Sequence, residues 1–215
     1  MSGYIFDLDG TLFDSMNIWD GIGPGWLRAR GIPVPDDYGA AIFNMSFAQS
    51  AAYTVERFAL PERPGSLLQA WNDMAARAYS QTVPMKPHAR EYLQALYESG
   101  AKLAVATSLP AALYLPALER LGIRDLFSVI CGAEQVPLPK SEPDAFLFCA
   151  SQLGLHPREC TVFEDLLVAI QSAKSVGMRT VAVYDAASSR DWPQLQQTAD
   201  VAILTFEDAP PPSST

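Results

Sequence analysis

Short apolar runs alternate with longer amphipathic stripes along most of the chain, and this alternation sets the first expectation. The run Tyr4-Ile5-Phe6-Asp7-Leu8 reads as a buried strand that stops at Asp9-Gly10. Runs of the same kind recur at Leu103–Ala106, Val129-Ile130, Thr161–Phe163, Thr180–Val183 and Val201–Leu204. Helical patterns lie between them. Pro87 to Ser99 puts Tyr92, Leu93, Leu96 and Tyr97 on one face and stops at Gly100. Leu113 to Leu121 stops at Gly122, with Pro116 either in its first turn or kinking it. Pro143 to Leu153 stops at Gly154, with Pro143 suited to the first helical position, and Leu166 to Val176 stops at Gly177. A glycine just past the last apolar residue is a helix-stop signal. Strand and helix in turn, with short connections, predict an α/β fold with a doubly wound, parallel, Rossmann-like sheet.

One interval breaks the rhythm. Between Ser15 and Gln81 no strand pattern appears, only helical stripes. The first contains Met16, Trp19, Ile22, Gly23, Trp26 and Leu27, and the second Phe47, Ala51, Thr54, Val55 and Phe58, ending before Pro61. The last contains Leu67, Leu68, Trp71, Met74, Ala75 and Ala78. A simple crossover rarely needs so many residues. The reading is a Rossmann-like core from residues 1–14 and 84–208, with an all-helical insertion at 15–83. The low-complexity stretch at 209–215, rich in proline and serine, reads as a disordered tail.

Composition narrows the classes. The 215 residues suit one α/β unit carrying a small insertion, and an apolar fraction of 49% is enough to bury a core. Fifteen Lys and Arg against 24 Asp and Glu leave a net charge of −9. That field repels nucleic acid and anionic membranes, while a small anion can still be drawn into a locally positive pocket. No apolar run is long enough to span a bilayer, and Met1-Ser2-Gly3-Tyr4 lacks a basic leader region. Cys131, Cys149 and Cys160 have no metal-ligand spacing and read as reduced, buried thiols. Together these features predict a cytoplasmic protein.

Candidate chemistry begins at Asp7-Leu8-Asp9-Gly10-Thr11, where a parallel strand ends. Like unit charges about 4 Å apart repel by roughly 4 kcal/mol at an effective dielectric near 20. A hard divalent cation with oxygen ligands offsets that most simply. Gly10 lets the backbone pass close to a ligand, and Thr11 can pin the turn. Alone, the pentapeptide is equally a solvated strand-end turn. It is not alone. Thr107-Ser108 follows the second strand, with hydroxyls and amides at a helix entrance suited to phosphate oxygens. Lys140 follows the third strand and Glu164-Asp165 the fourth. Each residue has an ordinary alternative as a cap, a surface charge or a helix-start acid. Their occurrence in order at successive ends of a parallel sheet favours phosphoryl transfer onto a carboxylate, with a metal neutralising charge.

On these motifs the sequence resembles the haloacid dehalogenase-like superfamily of aspartate-nucleophile phosphohydrolases with a helical cap, in the phosphoglycolate phosphatase and β-phosphoglucomutase-like subgroup. Four ordered motifs carry the resemblance: Asp7-Leu8-Asp9-Gly10-Thr11, Thr107-Ser108, Lys140 and Glu164-Asp165. It implies a magnesium (Mg2+)-dependent enzyme acting on a small phosphorylated metabolite, as a monomer or weak dimer. Asp7 would attack phosphorus, while Asp9 would protonate the leaving oxygen and then activate water. Thr107, Ser108 and Lys140 would hold the phosphoryl group. Asp7, the Asp9 backbone carbonyl and Asp165 would hold the metal, with Glu164 and Thr11 supporting them.

The chain departs from the family pattern at Leu166 and Ala169, where relatives commonly carry Ser and Gly, and in Pro139-Lys140-Ser141 where Gly-Lys-Pro is frequent. These changes touch loop shape more than the reacting groups. In the cap, Ala41-Ile42-Phe43-Asn44-Met45-Ser46 is largely apolar. Trp19, Asn44 and Tyr114 are candidates to face substrate, although core packing or solvent is the ordinary fate of such residues. The second aspartate, Asp9, separates phosphatase or mutase from dehalogenase within the resemblance. A β-phosphoglucomutase-like mutase needs the same core residues and is the alternative enzyme. A phosphate- or metal-binding relative without turnover is the alternative outside enzymes. A receiver-type signalling domain shares the strand-end acids but not the helical insertion.

Overall fold

The first apolar run forms β1 (Gly3–Phe6), buried along its whole length. Four helices follow it, α1 (Met16–Arg28), α2 (Tyr38–Ile42), α3 (Phe47–Arg57) and α4 (Pro64–Gln81). The chain continues through α5 (Ala89–Glu98), β2 (Lys102–Ala106), α6 (Ala111–Arg120), β3 (Val129–Cys131) and α7 (Asp144–Leu153). It ends with β4 (Cys160–Glu164), α8 (Leu167–Ser175), β5 (Arg179–Val183), α9 (Trp192–Thr198) and β6 (Val201–Ile203). The computed structural model describes residues 2–42 and 45–212, so Asn44 lies outside the described residues. Two compact units result, Met1–Asp14 with Val83–Thr215, and Ser15–Thr82.

In the first unit all six strands are parallel, in the order β3-β2-β1-β4-β5-β6. The order reverses at β1, which pairs with β2 on one side and β4 on the other. In open α/β sheets that switch point is where ligands bind, at the carboxyl ends of the strands. Alternate residues of β1 serve opposite faces. Ile5 is in register with Ala104 and Val162, and all three join a core cluster with Phe146 and Cys149 of α7 and Ala173 of α8. On the opposite face Phe6 stacks on Phe163 with centroids 4.6 Å apart, and Tyr92 of α5 meets Phe6 edge-on. Helices therefore cover both faces, which lets the inner strands be apolar throughout.

Gly100, Gly122, Gly154 and Gly177 all take positive φ where helices end, the conformation that makes glycine the usual stop. Of the two places expected for Pro116, the structure takes the one inside the helix, at the sixth position of α6. Other expectations are corrected. Pro143 is the residue that caps α7, not its first helical residue. The tail expected to be disordered from residue 209 is held at its start, where the Tyr92 hydroxyl donates to the Pro210 carbonyl at 2.9 Å. Residues 213–215 lie outside the described residues.

The second unit contains no strand among its described residues. α3 begins with a capping box, since Gln49 N donates to Ser46 Oγ at 3.3 Å and Ser46 N to Gln49 Oε1 at 2.8 Å. Its interior is aromatic: Phe47 lies against Trp19 and Trp71, and Trp19 Nε1 donates to the Tyr79 hydroxyl at 3.0 Å. α1 runs unbroken through Pro24 and three glycines, so packing rather than propensity holds it.

Candidate active site

The site is built where β1, β2 and β4 end. Asp7 is the first residue past β1 and continues the ladder through its amide, which donates to the Phe163 carbonyl at 3.0 Å. Its carboxylate therefore starts from a rigid strand end. The next turn is tight: Phe13 N and Thr11 N donate to the Leu8 carbonyl at 2.7 and 3.2 Å, and Gly10 N to the Phe13 carbonyl at 3.0 Å. Gly10 has φ +79°, and a Cβ there would come within 2.6 Å of Asp165 Oδ2. Only glycine allows the turn to pass beneath that carboxylate.

Asp7, Glu164 and Asp165 are all buried, with one carboxylate oxygen from each within 4.8 Å of the others. Lys140 is buried among them and donates to Asp7 Oδ1 and, at 2.5 Å, to Glu164 Oε1. The other Glu164 oxygen accepts from the Asp165 and Leu166 amides, both at 2.9 Å. Both Glu164 oxygens are thus spent on holding the lysine and the turn. Thr11 is fully buried and reaches Asp165 Oδ1 only at 3.4 Å.

With its three carboxylates ionised, this cluster sets three negative charges against one ammonium, −3 + 1 = −2. Burial pushes Asp7 up to about 7, with Glu164 and Asp9 adding to the rise and Lys140 opposing it. Burial, then Glu164 and Asp7, hold Asp165 well above the usual carboxylate range. Burial would lower Lys140, but Asp7 and Glu164 outweigh it and keep the lysine charged. Asp7 and Asp165 are the two oxygen donors not already committed as Glu164 is, and a divalent cation between them would restore neutrality. The donor set fits a hard cation.

The structure brings together Asp7, Thr11, Lys140, Glu164 and Asp165. Asp9, half-buried, is bridged to Phe13 in the following turn, and its side chain is not part of the carboxylate cluster. Thr107 is buried past β2 and Ser108 beside it is exposed. One expectation there needs correction. The helix starts three residues on, at Ala111, and two amides are already engaged: Thr107 N donates to the Cys131 carbonyl at 2.9 Å and Leu109 N to Thr107 Oγ1 at 3.2 Å. Hydroxyls, more than those amides, are what this loop offers. Tyr114 is buried against Gly132, where a Cβ would lie 2.5 Å from its ring, so its ring packs as core.

Two residues escaped the sequence reading. Asp185, just past β5, is buried and paired with Lys86 at 2.7 Å. Asp185 carried the same strand-end signal as Glu164-Asp165, but no motif marks Lys86.

A buried lysine among acids at the switch point of a parallel sheet is suited to a phosphoryl anion. Residues 4–183 match the family described as haloacid dehalogenase-like hydrolase, and the chain belongs to that family. It is 28% identical over 191 residues to hexitol phosphatase B of Escherichia coli K12, covering 83% of this chain and 82% of that one. It is 31% identical over 189 residues to a phosphoglycolate phosphatase of Yersinia pseudotuberculosis, covering 81% and 77%. Its fold matches that of a Thermotoga maritima protein provisionally classed as a β-phosphoglucomutase, with a TM-score of 0.82, 24% identity and 94% of each chain covered. Among the described residues no helix is long and apolar enough to cross a membrane.

Proposed function

We propose that the protein is a magnesium-dependent phosphatase of a small phosphorylated metabolite, working through an aspartyl phosphate on Asp7. The α/β unit is its catalytic core and the helical unit its cap. The observation that carries this reading is the buried trio Asp7, Glu164 and Asp165 around Lys140, with its uncompensated negative charge. Asp7, the Asp9 carbonyl and Asp165 would hold the cation. When bound, it supplies positive charge that keeps Asp7 ionised and offsets the phosphoryl dianion.

The remaining work falls to the chain itself. Asp7, anchored at the end of β1, attacks phosphorus and the bond to the leaving oxygen breaks. Asp9, half-buried and outside the carboxylate cluster, gives its proton to that oxygen. It then takes a proton from water attacking the aspartyl phosphate, which returns Asp7 and releases phosphate. Lys140 has three donors, two of them used on Asp7 and Glu164, and the third is available to a phosphoryl oxygen. Thr107 Oγ1 accepts from Leu109 N and keeps its own proton to donate. Ser108 adds an exposed hydroxyl beside it.

A screen of phosphorylated metabolites, reading phosphate release and isomerisation together, tests the reaction type. Release alone is expected, isomerisation without it marks a mutase, and undiminished turnover in excess chelator overturns the metal. The nucleophile is tested with Asp9→Asn and an aryl phosphate, whose leaving group needs no proton. The variant should accumulate one phosphoryl group on the Asp7 peptide, seen by mass spectrometry after rapid quench. Label on Ser15, Thr107 or His88, or full turnover in Asp7→Asn, would remove the mechanism.

A further inference from the structure

Asp185 and Lys86 form an ion pair that the proposed mechanism does not use. Their side chains are only 6% and 12% exposed. Lys86 Nζ donates to Asp185 Oδ2 and to the Tyr184 carbonyl, both at 2.7 Å, and Asp185 Oδ1 accepts from Ala187 N at 2.8 Å. Burying two charges costs several kcal/mol, so a pair in this position asks for a reason.

The backbone around Lys86 supplies one. Lys86 N donates to the Leu12 carbonyl at 2.9 Å, Asp14 N donates to the Pro84 carbonyl at 3.1 Å, and Phe13 bridges Met85 antiparallel. Residues 12–14 and 84–86 are thus a short two-stranded ribbon. Phe13, in that ribbon, closes the turn through its bonds with Leu8 and Gly10 and its bridge to Asp9. A continuous hydrogen-bonded path therefore runs from the end of β5, through Asp185 and Lys86, to the turn that carries Asp9. Asp7 has a separate anchor, its ladder bond to Phe163 on β4.

We propose that Lys86, clamped by Asp185, is a positioning residue for Asp9. It holds the ribbon to the sheet so that the Asp9 carboxyl meets the leaving oxygen, while Asp7 is placed independently. This rests on Asp9 being the general acid of the proposed function. General acid–base catalysis is worth about 100-fold or more, and a displacement of about 1 Å can forfeit much of it. In the phosphorylation step the loss should follow the leaving group, because an aryl oxide departs unprotonated and an alkoxide does not.

The test compares kcat/KM for 4-nitrophenyl phosphate with kcat/KM for the fastest alkyl phosphate of the metabolite screen, because kcat/KM reports the phosphorylation of Asp7 and not the later hydrolysis that Asp9 also assists. In Lys86→Met the aryl-to-alkyl ratio of kcat/KM should rise about tenfold, with the aryl kcat/KM kept within about threefold. Asp185→Asn, which preserves shape, should raise the same ratio, and it carries the test if Lys86→Met fails to fold. Equal losses on both substrates, or no change in either folded variant, would overturn the positioning role. Asp9→Asn run alongside separates the two ideas. If it shows no leaving-group bias, the acid assignment itself falls; if it shows the bias and the Lys86 and Asp185 variants do not, only the clamp falls.

Discussion

The two units bury different things. Among the described residues, every buried charged side chain lies in the α/β unit: Asp7, Lys140, Glu164, Asp165 and Asp185. The helical unit buries aromatics and a few hydroxyls that are satisfied close by, as where Thr54 Oγ1 donates to the Ser50 carbonyl at 2.6 Å and meets the Tyr38 hydroxyl. Buried charge is costly and is kept where it has work to do, whereas buried hydroxyls and rings only stabilise. Chemistry should therefore fail with changes in the first unit, and folding should fail with changes in the second. Substitutions that cross these categories can break the contrast.

The largest effect is expected at Trp71, which is fully buried in α4 with its ring centroid 5.3 Å from that of Phe47. Trp71→Ala should cost about 3–5 kcal/mol, enough to melt the helical unit or shift its denaturation sharply. Calorimetric metal titration should nevertheless give a magnesium affinity within about twofold of the parent, because both donor carboxylates lie in the other unit. A tenfold loss of affinity would show that the two regions are not separable in this way.

Legibility followed the same division. The parallel sheet could be read because its strands are short apolar runs, four of them entered from a glycine-terminated helix, and the site because its acids stand at the ends of those runs and its lysine in the loop after one. Strand ends differed by a residue or two, since the run reads on to Leu8 while β1 ends at Phe6, with one further bond from the Asp7 amide. The clamp of Lys86 on Asp185 was not legible, because it joins positions 99 residues apart with no local pattern. α9 was missed because its seven residues bury only Leu195, too little for a stripe. In the helical unit the stripes marked α1, α3 and α4, and Ser46 with Gln49 carried a capping signature that a largely apolar loop obscured. Which aromatic meets which depends on packing across sequence-distant helices.

A smaller effect, of a few degrees in Tm, concerns charge without metal. Burial raises Asp7 from an ordinary 3.8 to about 7 in the folded chain. A carboxyl whose folded value is raised favours the folded state while protonated. That stability is fully present below the unfolded value and is lost as pH rises through the folded one. The metal-free protein should therefore have a lower Tm at pH 7.5 than at pH 5.5. Saturating magnesium should restore the Tm at pH 7.5 and flatten the profile. The helical unit, with no buried charge among its described residues, should contribute nothing to this slope. Asp7→Asn should remove much of it, and a metal-free Tm that climbs with pH would contradict the raised carboxyl.

The smallest effect tests whether packing alone holds α1. Gly21 is exposed in the middle of that helix, and a Cβ there would have no heavy atom within 4 Å. Gly23, two residues on, is buried, and its Cβ would lie 2.9 Å from the Tyr38 hydroxyl and 3.4 Å from the Trp71 ring. Alanine gains roughly 1 kcal/mol over glycine in a helix interior wherever the space is open. Gly21→Ala should keep that gain and raise Tm by about 2–4 °C. Gly23→Ala receives the same backbone gain but must displace a hydroxyl already bonded to Thr54 at 2.6 Å. Tyr38 is fully buried with Phe58 edge-on against its ring, so the sign should reverse and Tm should fall. Turnover is expected to be unchanged in Gly21→Ala. Equal stabilisation by both alanines would mean that α1 packs loosely on its neighbours, and the helical unit would then lack the tight core that sets it apart from the α/β unit.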